Sequence, residues 1–429
     1  MTRALADNAV ARIGEAVEAN FADQVSFTAE LVGYPSLRGQ EHTAQDFMAR
    51  AFRDEGLDVD RWQVRVEDIQ HLPGFSPVSI SYDNAFNVVG SHRAAQQKGR
   101  SLILNGHIDV VPEGPHDMWN SPPFEAKQDG NWLFGRGAGD MKAGLVCCLY
   151  ALKALKRAGY QPASDLFIQS VIEEECTGNG ALACLQRGYR ADAAIIPEPS
   201  GDHLGTAQTG TIWMQITVRG LPAHAAYAEK GNNAIKAAMR LIAALEELEE
   251  QWNAEKDRHP HHAHLPHPIN FNIGNIVGGE WPASVPAQCV FDLRAAIFAD
   301  DDINERSRQL EDCIREAAAS DPFMGNNPPD IAYHGFLAEG YILENAEEPV
   351  ALLEACHREV HGQDLEGRAG TGTTDARFFG LYADIPGLVY GPVARDVHGF
   401  NECVDLDSVR RITQTIALFV ADWCGLDEK

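Results

Sequence analysis

The chain has 429 residues, 45% hydrophobic and 23% charged, which is room for two or three globular domains and is the composition of neither a fibrous nor a disordered protein. Asp and Glu number 62 against 35 Lys and Arg, and the resulting charge of −27 repels nucleic acid and anionic membrane surfaces. No apolar run of about 18 residues is present to span a bilayer. The opening MTRALADNAVARIGEAVEANF lacks the apolar block and cleavage site of a signal peptide and reads as a first amphipathic helix of a cytoplasmic protein. The nine cysteines are scattered without a C-x-x-C pair and read as reduced, mostly buried thiols.

Residues 1–60 predict two helices, the second, EHTAQDFMARAFRDEGLDVD, ending near Gly56. Strands then alternate with helices: SLILNG (101–106) is a buried strand, MKAGLVCCLYALKALKRAGY a helix stopping at Gly159, and LFIQSVIE (166–173) and DAAIIP (192–197) two further strands. This alternation predicts an α/β sheet with helices on both faces. Near residue 211 the pattern changes. TIWMQITVRG puts Ile212, Met214, Ile216 and Val218 on one strand face, and a helix over about 232–252 aligns Ile235, Met239 and Ile242. NFNIGNIV and AQCVFDLRAA, a helix in DINERSRQLEDCIREAAAS, and the strand DIAYHGF complete a β-α-β-β-α-β order. The expected organisation is therefore a catalytic domain of residues 1–210 and 337–429 with an inserted ferredoxin-like domain at 211–336. The first domain resumes with the helix EEPVALLEACHREV and the strand IPGLVYGP, and no internal repeat is present. The prolines of the histidine-rich tract HPHHAHLPH (259–267) predict an exposed connection rather than a metal site.

Five segments place metal-binding residue types at, or just past, the carboxyl end of a predicted strand, where open α/β sheets bind ligands. They carry His107 and Asp109 in NGHIDVVP, Asp140 in LFGRGAGDMKAG, Glu173-Glu174-Glu175 in SVIEEECTGNGA, Glu198 in IIPEPS, and His398 in GPVARDVHGFNE. Each alone has a bland reading: a structural His–Asp pair, a helix N-cap, a solvated acidic edge. Two histidines and several carboxylates without cysteine suit Zn²⁺, and also Co²⁺ or Mn²⁺. Gly135, Gly137 and Gly139 before a helix raise a nucleotide-binding oxidoreductase as an alternative. Their spacing is G-x-G-x-G rather than G-x-G-x-x-G, and no acid closes a second strand at the required distance. A metal-free binding protein on the same fold would require a degraded site, yet every candidate position is present.

Taken in order, NGHIDVVP, GRGAGDMKAG, VIEEECTGNGA, PEPS, GLPAHAAYAEKGNNAI, GTTDARFF and VHGFNE resemble the M20 metallopeptidase family over about residues 25–425. That family includes acetylornithine deacetylase, succinyl-diaminopimelate desuccinylase, aminoacylase-1 and glutamate carboxypeptidases. The resemblance implies a catalytic α/β domain with an inserted lid or dimerisation domain, and a homodimer. It implies two divalent cations, zinc first: His107 and Glu198 as ligands of one, Glu175 and His398 of the other, Asp140 bridging. Asp109 would orient His107, and Glu174 would be the general base. Gly180, five residues past Glu175, sets this register and leaves Glu173 in the place of the family's Asp. His224 would reach a partner subunit's site and hold the scissile carbonyl oxygen. Arg294 would bind a substrate carboxylate, with Gly372 and Thr373 as a substrate-binding turn. The implied reaction is hydrolysis of the amide bond of a small N-acyl amino acid, with a dipeptidase or carboxypeptidase as the alternative. Ser284, the AQTGT segment at 207–211 and Ala394 replace polar groups of the desuccinylases, which argues against a succinyl-diaminopimelate substrate.

Overall fold

The computed structural model describes residues 5–428. Its centre is a nine-stranded mixed sheet. Four neighbouring strands in it run parallel: Leu166–Val171, Leu102–His107, Ala193–Ile196 and Gly387–Val389. All are short and buried at every residue, mostly apolar, with Asn105, Gln169 and Ser170 among the buried polar exceptions. Helices Asp7–Val32, His42–Asp54, Ala143–Arg157, Glu347–His361 and Leu406–Trp423 pack together on one side of the sheet, while Asn179–Gln186 and Ala376–Ala383 cover the other. Ala143–Arg157 is apolar around nearly its whole circumference, and Cys147 and Cys148 are buried thiols within it. The flanking strands Asp58–Gln63, Phe86–His92 and Leu204–Gln208 extend the sheet at its edges. Among the described residues no helix is long and apolar enough to cross a membrane.

Residues 210–338 build a second sheet, fully antiparallel, in the order Phe271–Gly278, Gln288–Ile297, Gly210–Arg219, Asp330–Ala338. Helices Ala234–Asn253 and Ile303–Ala319 close a separate core in which Ile212, Met214, Ile216 and Val218 lie with Phe291, Leu293 and Leu241. The strand alternation read from TIWMQITVRG thus holds residue by residue. The face expected on the first of these helices does not. Ala234, Ala238, Leu241, Leu245 and Trp252 face the core, whereas Met239 is 61% exposed and Ile235 and Ile242 are only partly covered. Small alanines let the helix lie close to the sheet; Ile235 and Ile242 pack at the margin of the core, and Met239 alone of the expected stripe is turned outward.

The histidine-rich tract also departs from expectation. His259 stacks on Phe298 with ring centroids 3.7 Å apart, and His262 is fully buried with Nε2 3.3 Å from the Gly370 carbonyl. Parts of the tract are therefore packed structure, because an imidazole can fill an apolar slot and still satisfy one nitrogen.

Candidate metal centre and substrate cavity

The strand Leu102–His107 ends with His107 completely buried. Its Nδ1 donates to the backbone carbonyl of Asp109 at 2.9 Å, which fixes the tautomer and turns Nε2 outward as a free ligand atom. The Asp109 carboxylate stands 3.6 Å from Nδ1 and has other partners: Oδ1 and Oδ2 accept from the backbone N–H groups of Glu174 and Glu175 at 3.2 and 3.1 Å. Asp109 therefore orients His107 through its carbonyl and, through its side chain, pins the start of the acidic loop to the end of the neighbouring strand.

The three adjacent glutamates separate into different environments. Glu173, at a left-handed φ of 63°, turns inward, where Arg38 and the hydroxyls of Tyr82 and Thr177 hold its carboxylate. Glu174 and Glu175 face the cavity with Asp140, Glu198 and His398. Gly180 is explained by close approach: a Cβ there would fall 2.2 Å from the Ile172 carbonyl oxygen, so only glycine lets the following helix start against the strand end.

Asp140 reaches the same point from a tight loop whose backbone is held by a residue far along the chain. Glu402 Oε1 accepts from the N–H groups of Gly139 and Asp140 at 2.9 and 3.0 Å, and its Oε2 pairs with buried Arg136 at 2.6 Å. Glu402 belongs to the turn that carries His398, which links the two segments. The two oxygens of Asp140 face different ways. Oδ1 lies 3.1 Å from His107 Nε2, and Oδ2 lies 3.5 Å from His398 Nε2. Glu198 Oε2 and Glu174 Oε2 each lie 3.8 Å from His107 Nε2, and Glu175 Oε2 lies 3.0 Å from His398 Nε2. His107, Glu174 and Glu198 each offer a ligand atom within 4.8 Å of the others, as do His107, Asp140 and Glu175. His398, 52% exposed on its side chain and at a φ of 62°, closes the group from the solvent side.

The electrostatics fit cations. Burial lifts the Glu174 carboxyl well above the usual range and Glu198 to about 7. Burial would lower His107, yet Glu198, Asp140 and Glu174 hold its imidazole well above its ordinary value. Glu175 and Asp140 raise His398 to about 11. Burial would raise Asp140, but the two histidines hold it well below the carboxylate range. Oε1 of Glu175 and Oε1 of Glu198 are buried without a partner. So many acids around two imidazoles, the four cavity-facing carboxylates making no ion pair with Arg or Lys among the described residues, form a donor set that divalent cations compensate.

Asp375, in GTTDARFF, is a further buried carboxyl with both oxygens unpartnered, lifted well above its ordinary value by burial and by Glu198. The sequence reading passed over it because Gly372 and Thr373 beside it carry the family motif.

The acidic group opens into a cavity of about 1120 Å³ that also contains Arg294, Gly372 and Thr373. Arg294 has only neutral partners, the carbonyls of Asn270 and Thr371 and the hydroxyl of Thr211, and Thr211 in turn shares a 2.8 Å hydrogen bond with Thr373. His224 stands apart. It is exposed, accepts the Ala226 N–H at Nδ1, and does not line this cavity.

Similarity to known proteins agrees with this centre. The chain is 30% identical over 434 residues to N-formyl-4-amino-5-aminomethyl-2-methylpyrimidine deformylase of Halalkalibacterium halodurans, covering 96% of each chain. It is 29% identical over 379 residues to succinyl-diaminopimelate desuccinylase of Alkalilimnicola ehrlichii, covering 84% of this chain and 93% of that one. In fold it is similar to the di-peptidase Dug1p of Saccharomyces cerevisiae, with a TM-score of 0.80 at 15% identity over 98% and 99% of the two chains. The sequence profile of peptidase family M20/M25/M40 matches residues 103–422. The chain belongs to that family and is a metal-dependent hydrolase of amide bonds.

Proposed function

We propose that the protein is a co-catalytic two-metal deacylase. In this reading His107 and Glu198 hold one cation, Glu175 and His398 the other, and Asp140 both, with zinc as the first expectation and cobalt or manganese as alternatives. The observation that carries it is Asp140, whose two oxygens face two different histidines, each with its own glutamate beside it. Divalent cations, when bound, supply Lewis acidity to the amide carbonyl and lower the pKa of water. Glu174 takes a proton from the attacking water at its carboxylate and delivers it to the leaving amine nitrogen, so that amide and water become carboxylic acid and amine. Its burial supports this role, since burial favours the protonated form of the carboxyl and so strengthens it as a proton acceptor.

The amine half of the substrate has two readings. Arg294, without an acidic partner, fits the carboxylate of an N-acyl amino acid or a dipeptide, with Gly372 and Thr373 beside it. The relative that is 30% identical is instead a deformylase of an aminopyrimidine, and the cavity wall next to Arg294 carries Trp213 and Asp292. The deciding experiment is an amine-release screen over N-formyl, N-acetyl and N-succinyl amines and dipeptides, with zinc, cobalt and manganese in turn, beside metal analysis of the purified protein. Absence of amine release from every amide with every metal would reject the deacylase reading.

A second copy of the chain is the proposed partner of residues 210–338. Phe271–Gly278 is an open edge strand, with Val277 65% and Trp281 68% exposed, and Met239 lies outward on the neighbouring helix. An apolar open edge of this kind invites pairing with an identical edge. His224 lies in the loop beside exposed Leu221 and Tyr227, where it would enter the partner's site.

A further inference from the structure

We propose that the cavity-facing side of the second sheet is a subsite for a planar, amino-bearing heteroaromatic ring, with Trp213 as the surface the ring lies against and Asp292 as the acceptor of its exocyclic amino group. The proposal rests on the aminopyrimidine reading of the amine half and adds the residues that would select it.

Strand alternation builds the wall. Because Ile212, Met214 and Ile216 fill the core, Trp213 and Gln215 stand on the opposite face. Pairing with neighbouring strands sets Trp213 opposite Arg294, and Arg294 opposite Asn272. In the adjacent row Gln215 sits opposite Asp292, and Asp292 opposite Asn275. Trp213, Asp292 and Arg294 all line the cavity that holds Glu174 and Glu175.

The indole is held in place. Phe336 meets it edge-on, with centroids 5.4 Å apart at 85°. Gly335 has a φ of +84°, and a Cβ there would come within 2.5 Å of Trp213 Cε3 and 3.0 Å of the Cys176 carbonyl. The missing side chain therefore lets the indole and the outer strand lie against the loop that begins with Glu173.

Asp292 supplies the polar selection. Oδ1 accepts from Gln215 Nε2 at 3.0 Å, and Oδ2 from Asn275 Nδ2 at 3.3 Å. His334 Nε2 lies 3.2 Å from Oδ1 without the alignment of a hydrogen bond. The carboxylate is still 25% exposed, makes no ion pair with Arg or Lys, and keeps accepting capacity on Oδ2. Arg294, two residues along the strand, is occupied with Asn270, Thr211 and Thr371. A purely apolar amine half would cover this carboxylate and strand it, and a second anion would be repelled by it. A neutral ring amino group meets its need for a donor while the ring's π-face meets the indole.

The test is calorimetric binding to the zinc-loaded full chain of 4-amino-5-aminomethyl-2-methylpyrimidine and of the same amine lacking the ring amino group. Wild type should bind the amino compound about 10–100-fold more tightly, the worth of one hydrogen bond to a charged group. Asp292→Asn should narrow that gap to the few-fold of a neutral acceptor, and Trp213→Leu should weaken both amines by about the same 3–10-fold. Equal affinities in wild type, a gap that Asp292→Asn leaves unchanged, or amines that Trp213→Leu binds as tightly as wild type would overturn the subsite. Should Asp292→Asn lose its zinc or its thermal transition, the wild-type comparison and Trp213→Leu still decide. Because the readout is affinity, the two readings fail separately. A chain that binds the ring amine through Asp292 but cleaves no amide keeps the subsite and loses the deacylase. A chain that deacylates N-acyl amino acids and binds both amines equally does the reverse.

Discussion

The two sheets handle polar residues in opposite ways. Around the ends of the central parallel strands, buried acids bind backbone: Asp109, past the end of one such strand, takes the N–H groups of Glu174 and Glu175, and Glu402, from the turn that carries His398, takes those of Gly139 and Asp140. On the second sheet, Asp292 is braced by Gln215 and Asn275, and Arg294 by a hydroxyl and two carbonyls. The first arrangement fixes the path of the chain that presents the acids. The second decorates a surface that a change of side chain can redesign without moving a strand. Chemistry common to a family belongs on the first kind of support and substrate choice on the second.

The largest effect expected from the strand-end group is at Glu174. Glu174→Gln keeps size and hydrogen-bonding capacity but cannot shuttle a proton, so turnover should fall by about 10²–10⁴-fold. Metal analysis of the variant should still find the wild-type stoichiometry. A near-wild-type rate would remove Glu174 from the role, and loss of metal would make it a ligand instead.

His224 provides the next contrast, because its own cavity does not contain it. If it stabilises charge on the carbonyl oxygen in the partner's site, His224→Ala should cost about 10²–10³-fold in turnover, the scale of a lost oxyanion donor. Mixing His224→Ala with Glu174→Gln chains should restore part of the activity, since a hybrid dimer contains one site with both residues intact. Mixtures as inactive as either parent, or a wild-type protein that sediments as a monomer, would confine His224 to a structural role.

Glu402 tests the bracing itself. Glu402→Gln retains an oxygen for the Gly139 and Asp140 N–H groups but leaves buried Arg136 without its counter-charge. Metal affinity should drop by about 10–100-fold, as when an outer partner of a ligand is altered. An unchanged metal titration would show that the loop holds Asp140 unaided.

How much of this could be read from the residues alone follows from the same contrast. Runs such as LILNGH and AAII announce buried strands, and a polar residue at the end of such a run is conspicuous, so His107 and Glu198 were legible. Glu402 was not. It acts through the backbone of residues 263 and 262 positions away, and a lone Glu after a turn carries no local sign of that. Periodicity found the helix Ala234–Asn253 but not the centre of its buried face: Ile235 and Ile242 lie at the margin of the core and Met239 outside it, because apolar residues spread round the helix and only packing decides which of them the sheet covers. The burial of His259 and His262 depended on Phe298 and Gly370, contacts that spacing within the tract does not encode.

The smallest effect concerns the burden of acids that the strand-end group imposes on the fold. Glu41, at the start of His42–Asp54, is buried, and no side chain among the described residues is hydrogen-bonded to its carboxyl oxygens. Burial and then the neighbouring Asp109 raise it to about 8 from an ordinary 4.5. Between those values the folded chain keeps a proton that the unfolded chain has released, so Glu41 contributes stability below pH 4.5 that drains away as pH rises toward 8. Glu41→Gln cannot ionise and removes that slope. In metal-free protein, where cation binding adds no pH dependence of its own, the melting temperature of the variant should exceed that of wild type at pH 8.5 by a few degrees, on the order expected for about 1–2 kcal/mol. The advantage should vanish near pH 4.5. A constant difference across that range would mean that packing, not charge, is what the substitution changed.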